Sequence, residues 1–483
     1  MAQPSQRLSR SEIGILIAMG VGLLIAYRVS AQLPFTALGL AIVTPLALWR
    51  PDLLLAYVPF TVALYFMPKG LFDARFGIRE SGIYVPLHEV VLLLALAGAS
   101  IHLLIFGIVW RRNRQTIPKE IFGGSAAAPL LPIILFVLAG VWGVVIAEAR
   151  GAALRELRWL ILEPIIFVGL LVFYTRQRGP RYLHLMIGFW LSGGALAGLV
   201  GMLQLAGINL APWIGIKSGY SEDLIAVEGV RRATGLYGHP NNLGLALGRI
   251  WPVAAALAHV AFWNGPGGMA RLRRAWPLLL VTLLSLGGLL ASFSRGAYLG
   301  ALVAGVILAV TLIPAHLCPP RRILLPVLGG VGVLGFLILA FTVERFNLIG
   351  GSSSIRLQTW ASALAMLRDH PLGIGLDQFG LIYPRYIAPE LASTNEIHTA
   401  HPHNLILDIA LRMGPLGLIA VGWLLVRFYR QPSPPAAALM IGASAAMSAA
   451  LMHGMVDAFY FWPDLALAFW MLLVIRLGWV HDS

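Results

Sequence analysis

Apolar runs recur along nearly the whole chain, and they constrain its fold more than any other feature. Runs of roughly 17 to 25 residues form helices that cross about 30 Å of bilayer hydrocarbon. The chain is 58% hydrophobic and 12% charged, which leaves little polar sequence for a soluble domain. The runs are continuous, whereas a membrane β-barrel needs alternation over about ten residues. The sequence predicts an all-α polytopic membrane protein in which residues 1–483 form a single transmembrane domain.

We predict about fourteen crossings, or twelve if short neighbouring runs near the N-terminus merge. The first run follows Arg7 and Arg10, so it also resembles a signal peptide with a cleavage site at Val29-Ser30-Ala31. The predicted crossings are residues 13–29, 33–49, 53–67, 87–110, 130–147, 159–174, 185–207, 241–262, 276–291, 297–313, 323–343, 405–428, 436–452 and 465–479.

The net charge of +14 is explained by membrane topology and does not require a nucleic-acid partner. With a cytoplasmic N-terminus, the inward segments hold 17 basic residues against four acidic ones, an excess that is typical of cytoplasmic loops. The inward basic residues are Arg7, Arg10, Arg50, Arg111, Arg112, Arg114, Lys119, Arg176, Arg178, Arg181, Arg271, Arg273, Arg274, Arg321, Arg322, Arg427 and Arg430. The single Cys318 excludes an internal disulfide and a cysteine-rich metal site.

This topology places every polar cluster of chemical interest on the extracytoplasmic side. The clusters are residues 148–158, 209–239, 292–295 and 344–403. The last is a long extracytoplasmic loop with helical patterning from Ser354 to Leu367, and loops of such length are commonly functional.

Two arginines in these clusters are candidates for binding an anion. Arg295 lies between Ser294 and Gly296 where a crossing begins, without a neighbouring carboxylate in sequence, and a guanidinium there suits a phosphate. Arg232 lies in a turn-rich segment, for which a loop arginine that extends towards the headgroups is the alternative interpretation.

Three histidines, His398, His401 and His403, crowd the mouth of the crossing that begins at residue 405. Three histidines can hold a catalytic zinc ion, but Pro402 interrupts the segment and the sequence shows no obvious fourth ligand. We therefore expect no metal and no cofactor. A structural role remains open, beside acid/base work by a side chain that titrates near neutrality.

The segment from His403 to Gly417 resembles a motif of the O-antigen ligase and polymerase superfamily. The ligase pattern is matched by His403, Asn404, nine residues, Gly414, two residues and Gly417. Upstream, residues 232–235 and 240–241 resemble the arginine loop of the family, and residues 294–296 its second arginine. Residues 356–360 and 370–375 resemble the segment before the histidine.

The resemblance implies a metal-independent inverting glycosyltransferase of the bacterial inner membrane, with its active site on the periplasmic face. Arg232 and Arg295 would bind the pyrophosphate of an undecaprenyl diphosphate-linked glycan, and His403 would accept the proton of the acceptor hydroxyl. His401 is the alternative base. The secondary substrate-binding candidates are Arg231, Arg356, His401 and Asn404, the last of which could instead cap the following helix.

The acceptor remains open. An O-antigen ligase transfers the glycan to a lipid A-core sugar, a polymerase extends another lipid-linked repeat, and protein-glycosylating relatives use a Ser or Thr hydroxyl. A secondary transporter is a rival class, although the sequence lacks the pair of interrupted helices in two halves that such folds often carry. Sugar identity and oligomeric state also remain open.

Overall fold

The computed structural model describes residues 8–29, 33–65, 69–70, 84–112, 130–208, 210, 230–264, 267–312, 352–432 and 437–477. The cleavage site predicted at residues 29–31 lies mostly outside these ranges. The crossing predicted at residues 323–343 lies wholly outside them, as do parts of the 209–239 and 344–403 segments.

The described chain is built almost wholly from helices. In order they are α1 Arg10–Leu24, α2 Leu33–Trp49, α3 Pro51–Leu54, α4 Tyr57–Thr61, α5 Leu87–Arg112, α6 Leu130–Val145, α7 Arg150–Glu156, α8 Glu163–Arg178, α9 Pro180–Leu205, α10 Pro240–Trp263, α11 Met269–Ala291, α12 Arg295–Leu312, α13 Ser352–Asp369, α14 Phe379–Ile382, α15 Pro389–Ala392, α16 Leu405–Arg430, α17 Ala438–Gly454 and α18 Pro463–Leu477. Two-residue strands, β1 Lys69–Gly70 and β2 Tyr84–Val85, pair antiparallel.

Eight helices within the described ranges are long and apolar enough to cross a membrane, and a bent pair around residue 50 raises the number to nine. A π-helical segment, Leu157–Leu162, joins α7 to α8 into one span, so the polar cluster predicted at residues 148–158 includes the first turns of that span. The all-α polytopic membrane fold is confirmed. The count of twelve to fourteen crossings stays a prediction, because α6 and α17 are shorter apolar helices and other predicted crossings extend beyond the described residues.

Seven helix ends meet at one end of the bundle. There α9, α11 and α17 end, while α10, α12, α16 and α18 begin. Hydrogen bonds between these ends hold them together, as from Ala233 N–H to Ala291 O (2.9 Å) and from Asn404 Nδ2 to Met455 O (3.0 Å). Arginines occupy the opposite ends of α11 and α16. The chain therefore gathers its polar turns at one end and its basic termini at the other, as the predicted topology requires.

Small residues allow the central helices to pack closely. A Cβ placed on Gly198 of α9 would lie 2.2 Å from Leu284 O of α11, and one on Gly288 would lie 2.5 Å from Gly198 Cα. Small residues at such crossings let backbones approach in membranes, where packing drives helix association. This contact fixes α11 against α9, and hence the position of the turn at the end of α11.

We expect Gly198→Ala to lower the melting temperature of the purified protein in detergent, because the new methyl group would overlap a backbone carbonyl. Gly188→Ala is the matched control on the same helix, since a Cβ there meets no atom within 4 Å. Alanine favours helix over glycine by about 1 kcal/mol, so this control should be neutral or stabilising. Equal melting temperatures for the two variants would contradict the close crossing.

Candidate active site

The two arginine segments predicted from the sequence lie side by side, although 63 positions separate Arg232 from Arg295. We call residues 231–235 and 292–295 the arginine turns. Arg232 Nε donates to Ser292 O (3.0 Å), in addition to the bond between Ala233 and Ala291. The structure thus joins two turns that sequence spacing could not relate.

Hydrogen bonds from the first arginine turn to the C-terminal end of α9 hold the turn in place. Gln204 Oε1 accepts hydrogen bonds from the N–H groups of Thr234 (3.0 Å) and Gly235 (2.8 Å). Gln204 is itself buried, so its amide oxygen serves these backbone donors and not water. The position of Arg232 is therefore set by a rigid helix end.

The second arginine turn contacts the end of α17. Ser294 Oγ lies 3.3 Å from His453 Nε2, and a Cβ on Gly296 would lie only 2.3 Å from His453 Cδ2. Glycine after Arg295 is thus required by the approach of the imidazole. Arg295 begins α12 and is 8% exposed.

The histidine segment enters α16 through a helix cap. Asn404 Oδ1 accepts from the N–H groups of Ile406 (3.0 Å) and Leu407 (3.2 Å), two donors that lack partners within the helix. Asn404 also donates to Met455 O, so the cap ties α16 to the loop after α17. The structure supports the capping alternative for Asn404.

His403 has a left-handed backbone conformation, with φ of 53°. This conformation costs an L residue about 1–2 kcal/mol. The cap at Asn404 and a hydrogen bond from His403 N–H to His401 Nδ1 (3.3 Å) hold it in place. The two imidazole rings lie 4.1 Å apart between centroids. Strained backbone conformations cluster at functional sites, where contacts from the surrounding structure hold them in place.

Asp457, in the loop after α17, connects the histidine to the first arginine turn. Its Oδ1 lies 3.4 Å from His403 Nδ1, and its Oδ2 accepts from Asn241 Nδ2 at 2.7 Å. Asn241 in turn accepts from Arg232 Nη2 at 2.7 Å. A continuous chain of side chains therefore runs from Arg232 through Asn241 and Asp457 to His403.

The electrostatics of this chain favour an anionic Asp457. Burial alone would raise the pKa of Asp457, but its hydrogen bond to His403 and the charges of His403 and Arg356 outweigh burial and hold the pKa well below its usual value. Arg356 Nη2 lies 3.4 Å from the same carboxylate. Burial and the nearby His403 lower the pKa of His401 well below its usual value, so His401 is neutral at pH 7.

The other predicted substrate-binding residues occupy different surroundings. Arg356, predicted as a phosphate contact, lies against Asp457, and Arg231 is exposed at the start of the first arginine turn. Sequence reasoning missed Asp457 and the bridging role of Asn241. The available signal was an acidic residue in the short connection between two apolar runs, close after His453.

His401, His403 and Asp457 also offer one ligand atom each within 4.8 Å of one another, a set that could hold a metal ion. Two histidines and a carboxylate are a donor set that zinc accepts. The site fits a cation only partly, because Arg356 adds a positive charge beside Asp457 and His401 Nδ1 already accepts a backbone N–H. The absence of a metal thus stays a prediction, which chelation can test.

Glycines of the predicted motifs allow the loop that precedes the histidines to pack closely against α6 and α16. Gly414 has φ of 65° within a kink of α16, and a Cβ there would lie 2.4 Å from Leu372 O. Gly373 and Gly375 also have positive φ, and Ile374 N–H donates to Leu411 O at 2.7 Å. These glycines serve close backbone approach and need no contact with substrate.

Comparison with known proteins agrees with these observations. A family model described as O-antigen ligase matches residues 280–422, a range that contains Arg295, Arg356, His401 and His403 but neither Arg232 nor Asp457. No curated protein matches the chain. The match confirms the resemblance predicted from the sequence: residues 280–422 are similar to the O-antigen ligase family.

Proposed function

We propose that this membrane protein is a glycosyltransferase, an O-antigen ligase of the bacterial inner membrane. It would transfer a glycan from undecaprenyl diphosphate to a lipid A-core hydroxyl at the periplasmic face, with inversion and without a metal. The observation that carries the proposal is the linkage of Arg232 to His403 through Asn241 and Asp457. This linkage joins a cationic turn and a candidate base in one network of polar side chains.

The arginine turns would bind the donor's diphosphate. As the bond between the sugar and the diphosphate breaks, negative charge develops on the leaving group, and fixed cations stabilise that charge most where water is excluded. Arg232 and Arg295 belong to two hydrogen-bonded turns. Because the turns lie where helices end, the polyprenyl tail of the donor can stay in lipid while its head group reaches the arginines.

His403 would act as the general base. With Nδ1 directed at Asp457, its Nε2 is the nitrogen that can take a proton from the acceptor hydroxyl. The acceptor oxygen forms a bond to the anomeric carbon, the bond to the phosphate oxygen breaks, and its electron pair leaves with undecaprenyl diphosphate. Asp457 orients the imidazole and stabilises the imidazolium that forms, as carboxylates do in catalytic triads.

His401 supports this step in a different way. Its Nδ1 accepts the backbone N–H of His403, and its lowered pKa makes the ring a weak proton acceptor. We therefore assign base chemistry to His403 and a positioning role to His401. A polymerase would use the same residues with a lipid-linked repeat as acceptor, so acceptor choice must be measured directly.

We expect His403→Ala and Arg295→Ala each to lower transfer by at least about 10²-fold, since a general base and a charge-stabilising donor each contribute about that much or more. The assay is transfer from purified lipid-linked glycan to a lipid A-core acceptor, with melting temperature as the check on folding. Arg273→Ala is a matched control, because Arg273 is exposed at the opposite end of α11. Near-parent turnover in a folded His403→Ala or Arg295→Ala protein would remove that residue from the mechanism.

Chelation tests the metal-free mechanism. Prolonged dialysis against EDTA should leave the transfer rate unchanged, because the two arginines, and not a cation, neutralise the leaving group. A rate that falls on dialysis and returns with added Zn²⁺ or Mg²⁺ would contradict the mechanism and would favour an ion at His401, His403 and Asp457.

A further inference from the structure

A cavity of about 360 Å³ lies beside the candidate active site. Of its lining residues, the proposed mechanism gives a role only to His401. Its lining includes Glu156, Trp159, His401, Asp408, Arg412 and Trp462. The volume falls within the range of small-molecule sites in proteins. Since His401 borders both spaces, a molecule in the cavity lies next to the histidine pair.

The charge of the cavity does not suit a diphosphate. Its two arginines are already paired, Arg155 with Asp377 at 2.8 Å and Arg412 with both Asp408 (2.7 Å) and Glu156. Because both guanidinium groups of the described lining have carboxylate partners, neither is left to bind an anionic guest. Anionic donor chemistry therefore belongs at the arginine turns, and the cavity favours a neutral or cationic guest.

Glu156, in the cavity lining, has a buried carboxylate oxygen without a hydrogen-bond partner in the part of the chain that the structure describes. Glu156 is 8% exposed, and while its Oε1 accepts from Arg412, its Oε2 is buried without a hydrogen-bond partner among the described residues. A buried acceptor left in this state is unfavourable. A hydroxyl donor on a bound molecule would satisfy it.

Aromatic side chains also line the cavity. Trp159, Phe461 and Trp462 border the cavity, and the Arg412 guanidinium lies 4.7 Å from the Phe461 ring centroid. Apolar ring faces combined with a few fixed acceptors form the kind of pocket that orients a ligand by shape and hydrogen bonds. A sugar ring presents both an apolar face and hydroxyl donors.

Residues of the cavity wall are connected to Asp457 and to the histidine pair by covalent and hydrogen bonds. Ala458 borders the cavity, and its N–H donates to Asp457 Oδ1 at 2.8 Å. Arg412 Nη2 donates to the carbonyl of Ala400, the residue before His401, at 3.4 Å. A molecule in the cavity thus lies against residues that are directly connected to Asp457 and to the histidine pair.

We infer that this cavity binds the sugar ring that carries the acceptor hydroxyl, with Glu156 Oε2 accepting a hydrogen bond from another hydroxyl of that ring. The inference rests on the proposed function and deepens it. The acceptor is then a glycan, and not a protein Ser or Thr. Donor and acceptor approach the histidine pair from different sides, the donor from the arginine turns and the acceptor from the cavity.

The test is a two-substrate kinetic analysis of the purified full-length chain, with lipid-linked glycan as donor and either lipid A-core or a second lipid-linked repeat as acceptor. Glu156→Gln and Trp159→Ala should each raise KM for the acceptor about tenfold or more and leave KM for the donor within twofold. Trp159→Phe should restore most acceptor affinity by keeping an aromatic face. Glu148→Gln is the matched control, because that carboxylate pairs with Arg385 at the surface and does not line the cavity.

An unchanged acceptor KM in both folded variants, or a rise confined to the donor, would overturn the cavity assignment while leaving the proposed function intact. Absence of transfer by the unaltered protein with either acceptor would instead overturn the proposed function, and the assignment that rests on it. Because Glu156 also pairs with buried Arg412, Trp159→Ala decides the question if Glu156→Gln melts at a lower temperature.

Discussion

The arrangement of this site depends on one buried carboxylate. Asp457 is 2% exposed, and an anion at such depth is stable only with cationic or hydrogen-bonding partners around it. Asn241, Arg356 and His403 come from three separate parts of the chain and supply them. Satisfying Asp457 thus requires α10, α13 and the histidine segment to converge, so the same requirement assembles the candidate site.

Strained backbone conformations lie around the same site. Among the residues that the structure describes, the non-glycine residues with positive φ are Phe293, Asp377 and His403. Phe293 lies in the second arginine turn, Asp377 lines the cavity and His403 faces Asp457. Each conformation costs energy that the surrounding packing must supply. The strained positions therefore mark the donor side, the acceptor side and the base of the proposed reaction.

Much of this protein could be predicted from its sequence, because membrane crossing imposes a simple rule on length and polarity. The helical fold, the helix at residues 352–369 and the cap at Asn404 followed from hydropathy and local patterning. The common placement of Arg232, Arg295 and His403 followed from counting crossings and from the family motif. Local signals sufficed for the helices and the cap, since these features are decided by residues near in sequence.

Other features could not be predicted, because they depend on contacts between distant segments. Nothing local relates Asp457 to Asn241, which precedes it by 216 positions. The pairing of Arg356 with Asp457, 101 positions away, is equally invisible in the sequence. The unpartnered oxygen of Glu156 is likewise visible only once Arg412 has occupied the other oxygen.

The central claim is that Asp457 and His403 act as one unit, and a double-mutant cycle on the transfer rate tests it most directly. The rates of Asp457→Asn, His403→Ala and the double variant would be compared with that of the parent, with melting temperatures confirming that each protein is folded. We expect Asp457→Asn alone to lower the rate by at least about 10²-fold and the double variant to be no slower than His403→Ala, because residues that act together are non-additive. Near-parent transfer by Asp457→Asn, or losses that multiply in the double variant, would contradict it.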